Sequence, residues 1–216
     1  WELGGWTGTF TELMSRSGYD MIGVDNSADM LEAAMEKRDE SGSDILYLMQ
    51  DMREFELYGT VRAVVSVCDS MNYLSDTEEL TEVLRLVNNY LDPAGICVFD
   101  LKTAHYFRDV CGDCVMSEDR EEGTFIWVNS WYEEEQTNEY DLTLFIREES
   151  GLYRKKEETH FQRAFSEAEI REAVKASGME LLEIRDAVRG GVPDKDSERL
   201  YVIAGEKGKM KENARE

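Results

Sequence analysis

Along the first hundred residues, short apolar runs alternate with stretches whose apolar positions recur every three to four residues. Leu3 closes the first run, and residues 19–25, 45–49, 61–68 and 96–101 form the next four. Runs this short and this continuously apolar predict strands covered on both faces, as in a parallel sheet. Between them, Phe10, Leu13 and Met14 fall on one face of a predicted helix over 9–17, which Gly18 ends. Ser27 is placed to cap a helix through Met30, Leu31, Ala34 and Met35, and Asp76 one that carries Leu80, Val83, Leu84 and Val87. Asp92-Pro93-Ala94-Gly95 predicts a turn before the fifth strand. Strand–helix alternation of this kind predicts an α/β, doubly wound sheet with ligand at the carboxyl ends of its strands.

After Lys102 the period shortens to two. A helical piece at 106–110 and an acidic segment at 117–122 precede three runs, 124–132, 139–148 and 153–163. In the second of these, Leu142, Leu144 and Ile146 alternate with Asp141, Thr143 and Arg147. The pattern predicts an antiparallel meander. Ser166 and Glu169 then read as a capping box for a helix to about Ala176, followed by strands at 179–188 and 199–204. Residues 207–216 read as a charged tail.

Composition narrows the function more than the fold. At 216 residues the chain is long enough for one domain with a full core and a small insertion. Its 47 acidic against 24 basic residues give a net charge of −23, a surface that repels phosphate backbones and makes nucleic acid a poor partner. A cationic or amine substrate is electrostatically easier. No run is long enough for a membrane helix, and the reading is a cytoplasmic protein. Of the four cysteines, Cys68 and Cys97 fall in apolar runs and are expected to be buried. Cys111 and Cys114 have redox-motif spacing but neither the context of a redox site nor, with two histidines in the chain, the ligands of a metal site.

The candidate chemistry is at the start. Glu2-Leu3-Gly4-Gly5-Trp6-Thr7-Gly8-Thr9 joins the first strand to the first helix, and the second strand ends in Asp25. Glycines let backbone pass close to a ligand, a helix start offers free N–H donors, and a carboxylate on the next strand accepts from ribose hydroxyls. These residues therefore point to a nucleoside cofactor.

With Gln50-Asp51-Met52-Arg53 and Cys68-Asp69-Ser70-Met71-Asn72-Tyr73 at fitting distances, the chain resembles the class I S-adenosylmethionine-dependent methyltransferases, especially the small-molecule N-methyltransferases. The resemblance implies a seven-stranded sheet with the last strand antiparallel beside the sixth. It divides the chain into an S-adenosylmethionine-binding core at 1–104, an inserted lid at 105–165 that is also a candidate homodimer surface, and a return to the core sheet at 166–206. It departs from the family at Trp6, where a glycine is expected, and it implies further residues upstream of Glu2.

The same resemblance implies that Glu2, Gly4, Gly5, Gly8, Asp25 and Asn26 shape the cofactor site, with Met30 near the adenine and Asp51 and Met52 on its edge. Cys68, Asp69 and Ser70 would line the methionine end, and Ser70, Asn72, Tyr73, Tyr106 and Trp127 would meet a small-molecule acceptor. Trp131 and Tyr132 are further candidates for the wall. His105 and His160 are the candidate general bases, because imidazole titrates near neutrality. An RNA or protein acceptor, a non-catalytic cofactor-binding module and a nicotinamide-dependent dehydrogenase are the alternatives.

Overall fold

A computed structural model describes residues 1–209; the last seven residues of the expected charged tail lie outside the described residues. Five strands and three helices come first, alternating except that β4 follows β3 directly: β1 (Glu2–Leu3), α1 (Thr9–Arg16), β2 (Ile22–Asp25), α2 (Ala28–Ser41), β3 (Leu46–Met49), β4 (Val61–Ser66), α3 (Thr77–Tyr90) and β5 (Leu91–Lys102). A second group, β6 (Cys114–Arg120), β7 (Gly123–Tyr132), β8 (Thr137–Arg147) and β9 (Tyr153–Arg163), precedes α4 (Glu167–Ala176), β10 (Glu180–Asp186) and β11 (Arg199–Gly205).

The main sheet has the order β10-β11-β5-β4-β1-β2-β3. β1 to β5 pair in parallel, and β11 runs antiparallel to both β5 and β10. The chain winds outward from β1 to β3, then crosses back to β4. The order therefore reverses between β1 and β4, and the crevice at their carboxyl ends is where such sheets take ligands.

Local chemistry sets the helices. Ser27 Oγ accepts from the Met30 N–H, Asp76 from the Glu79 N–H at 2.7 Å, and Ser166 and Glu169 form the full capping box. The apolar stripe of α3 is fully buried, and it packs with Ile170, Ala173 and Val174 of α4 in one core with Leu3, Val64 and Phe99. Each such Leu or Val contributes roughly 1.5–3 kcal/mol.

The structure corrects several expectations. α1 buries Thr11 and Glu12 while Leu13 is exposed, because Thr11 turns inward to bond the carboxylate of buried Glu2. The turn expected at 92–95 is an irregularity inside β5, where the register with β4 slips and Ala94 takes φ 63°. Cys97 is buried as expected, but Cys68 is exposed at φ 64°, since β4 ends two residues before it. The meander has four strands, not three. The acidic segment forms β6, which lacks an apolar face and is held by pairing to β7 from Cys114↔Asn129 to Arg120↔Gly123.

Candidate functional site

The turn after β1 is drawn tightly onto β2: the Gly4 and Gly5 N–H groups both donate to the Val24 carbonyl, at 2.8 and 3.1 Å. Gly4 has φ 70°, and a Cβ there would lie 2.6 Å from Cβ and Oγ of Ser70. Gly8 has φ 69°, and a Cβ would collide with Tyr47 and with Ala34. Absence of side chains at these two positions thus lets the β1 turn close against the segment after β4 and against α2. Gly5 sits over Glu2. Burial pushes the Glu2 carboxyl up to about 7, against the hydrogen bonds from Thr11 that lower it; Glu2 lies beneath the turn and is closed to solvent.

Asp25 ends β2 facing this turn. Its Oδ2 accepts from the Trp6 N–H and its Oδ1 from the Ser27 N–H, both at 2.9 Å. A carboxylate offers about four acceptor sites, so each oxygen keeps capacity for a hydroxyl donor. Met52 brings its methyl group to 3.5 Å from the Cβ position of Gly4, giving the crevice an apolar wall, while Met30 is half-buried and Asn26 exposed just beyond. A ribose diol on Asp25 beside an apolar wall is an arrangement that fits a nucleoside. Asp51 is differently engaged. Arg53 grips both its oxygens through its side chain and also its own N–H, and these bonds hold its carboxyl below the usual range.

Across the crevice, the residues after β4 form a charged knot. Asp69 is buried at φ 58°; its Oδ2 takes Lys102 Nζ at 2.9 Å and Gln162 Nε2 at 3.1 Å, and its Oδ1 takes Arg199 Nη2 at 2.7 Å. Arg199 also bonds Asp100, which accepts the Asp69 N–H at 2.8 Å. Burial alone would raise the Asp69 carboxyl, but Lys102, Arg199 and Gln162 outweigh it and hold the group below its ordinary value. Asp69 is therefore a fixed anion rather than a proton acceptor. Asn72 is fully buried, donating to the Lys102 and Arg163 carbonyls and accepting from the Lys102 N–H. Its carboxamide ties β5 to the end of β9 and is not free to touch a substrate.

Tyr73 reaches the surface of this segment, and the His160 ring meets it edge-on with centroids 5.9 Å apart. His160 Nε2 is 3.4 Å from Glu158. His105 is elsewhere. It pairs with Asp109 at 2.8 Å and borders a cavity of about 250 Å³ with Arg108, Glu167, Asp194 and Lys195. No residue of the glycine turn and neither Asp25 nor Asp69 lines that cavity.

The second sheet meets the knot with an aromatic face. Trp127 and Tyr140 lie 4.7 Å apart, and Tyr140 and Trp131 both pack on Phe107. Lys102 Nζ sits 5.1 Å over Tyr106 and 5.6 Å over Tyr140. Among the described residues Trp127 Nε1, Tyr140 Oη and Gln162 Oε1 are buried without hydrogen-bond partners. Tyr132 is exposed and bonds Glu139, since it follows Trp131 in β7 and points to the other face. Sequence reasoning missed Lys102, Asp100, Tyr140, Gln162 and Arg199. Beside Asp69, an aspartate inside the apolar fifth run is a sign of the knot that the sequence carries.

A family described as "Methyltransferase domain" matches residues 1–95. The methyltransferase-like protein YqeM of Bacillus subtilis is 32% identical over 92% of this chain and 80% of its own length. An N,N-dimethyltransferase of dTDP-3-amino-3,4,6-trideoxy-α-D-glucopyranose from Streptomyces venezuelae is 29% identical over 87% of this chain and 79% of its own length. The crystal structure of an S-adenosylmethionine-dependent methyltransferase from Clostridium acetobutylicum shares the fold with a TM-score of 0.87, at 24% identity over 96% of this chain and 83% of that one.

Proposed function

The chain belongs to the class I S-adenosylmethionine-dependent methyltransferases, and on that premise we propose that it methylates a small molecule at an amine or a hydroxyl. The observation that carries the reading is the aromatic face of the second sheet, which Asn72 and Gln162 tie to the segment after β4, across the crevice from Asp25. Such a face suits a small acceptor enclosed away from water. The dimethyltransferase relative acts on an amino sugar, and a net charge of −23 favours approach of an amine.

S-adenosylmethionine supplies an activated methyl group, so the protein has mainly to align two partners and exclude water. Asp25 accepts the ribose hydroxyls, and Gly4, Gly5 and Gly8 give the turn its path beneath the methionine end. Met52 and Met30 flank the base. Lys102 and Arg199 keep Asp69 ionised and fixed, which leaves His160, beside Tyr73, as the group able to take a proton from the acceptor. Tyr106 and Trp127 wall the acceptor. The second sheet, with Val115 and Phe161 exposed, is the surface proposed to join two copies.

The test is transfer of labelled methyl from S-adenosylmethionine to panels of small amines, amino sugars and hydroxyl compounds, with RNA and protein acceptors alongside. Label in a small amine or alcohol, slowed by His160→Asn, supports the reading. Label only in RNA or protein overturns it.

A further inference from the structure

Trp6 occupies a place where the physics of the turn asks for glycine. It has φ 50°, a conformation that costs an L-residue strain and persists where the surroundings impose it. Those surroundings lie on both sides of the crevice. The Trp6 N–H is held by Asp25 at the end of β2, and its indole Nε1 donates to Ser70 Oγ beyond β4 at 3.3 Å. Ser70 is itself fixed, because its hydroxyl lies 3.0 Å from the Gly4 carbonyl and 3.2 Å from that of Val67. The indole thus bridges from the β1 turn to the β4 segment, across the β1–β4 opening, and is 44% exposed on its outer side.

We propose that Trp6 is an access-determining residue for the cofactor: its indole, latched to Ser70, closes the methionine end of the crevice, and the cofactor enters only when the side chain rotates away. The inference rests on the reading of the Asp25 crevice as the cofactor site. Because the backbone of Trp6 is needed by Asp25, the moving part is the side chain, and rotation of a partly exposed side chain is far faster than ligand arrival. Closure then acts as a pre-equilibrium. Apparent affinity and association rate are both reduced by the open fraction, whereas dissociation is untouched. One partly exposed hydrogen bond of this kind corresponds to an open fraction lowered about 3- to 10-fold.

The experiment is stopped-flow and calorimetric titration of the whole chain with S-adenosylhomocysteine, comparing wild type, Trp6→Gly and Trp6→Phe. Glycine suits φ 50°, so Trp6→Gly should fold, as circular dichroism will check. The expected result is a Kd about 3- to 10-fold lower in Trp6→Gly, all of it in a faster association rate, with Trp6→Phe partway because it cannot reach Ser70 with a donor. An unchanged association rate, or a faster dissociation with weaker binding, overturns the proposal, the latter by making the indole a wall of the occupied site. If folded wild type and both variants all fail to bind, the crevice reading falls and the proposal with it.

Discussion

Replacing Glu2 by Gln removes a buried charge while keeping the size of the side chain and its ability to accept from Thr11. In the folded protein the Glu2 carboxyl stands at about 7, raised by burial from an ordinary 4.5. A group whose folded pKa is raised contributes stability that is complete below the unfolded pKa and is lost as pH climbs through the folded one. At about 1.4 kcal/mol per pH unit, ionising Glu2 inside the fold costs about 3 kcal/mol at alkaline pH, of which about 2.5 kcal/mol accrues between pH 5 and pH 8. The assay is urea unfolding of wild type and Glu2→Gln at both pH values. Taking the difference of differences cancels the titration of every other acid common to both chains. Glu2→Gln should gain about 2–3 kcal/mol on wild type between pH 5 and pH 8. A change below about 0.5 kcal/mol would refute the reasoning, because Glu2 would then ionise as freely in the fold as in the unfolded chain.

Two further perturbations probe other parts of the account. Arg199→Met leaves Asp100 without its cation, while Asp69 keeps Lys102, and should destabilise the protein by about 3 kcal/mol, read as a lower urea midpoint; Asp100→Asn in the same chain should recover part of the loss. Ser166→Ala breaks the capping box of α4 and should cost about 1 kcal/mol, with Ser166→Asp close to wild type, measured by the same unfolding curves.

The parts of this structure that were legible in the sequence are those decided within a few residues. Ser27, Asp76 and Ser166 cap helices because a short oxygen-bearing side chain needs only the N–H two or three residues on. Asp25 was legible for a similar reason, since the end of a short apolar strand and a preceding glycine turn fix its place. The charged knot was not, because Asp69 and Arg199 stand 130 residues apart and only the antiparallel insertion of β11 beside β5 brings them together. β6 was missed because periodicity reports burial, and a strand held by backbone pairing at an exposed edge has little to report. The turned face of α1, which leaves Phe10 and Met14 half-buried, has a third cause: a polar bond to buried Glu2 outweighed the burial of Leu13.

We propose that Asp25 holds the ribose of S-adenosylmethionine in the β1–β4 crevice. Calorimetric titration with S-adenosylmethionine and S-adenosylhomocysteine tests it most directly, using wild type, Asp25→Ala and Asp25→Asn. Hydrogen bonds to a charged acceptor contribute about 1.5–3 kcal/mol each, so both variants should bind both ligands at least about tenfold more weakly while remaining folded. Equal binding by wild type and Asp25→Asn would contradict the account.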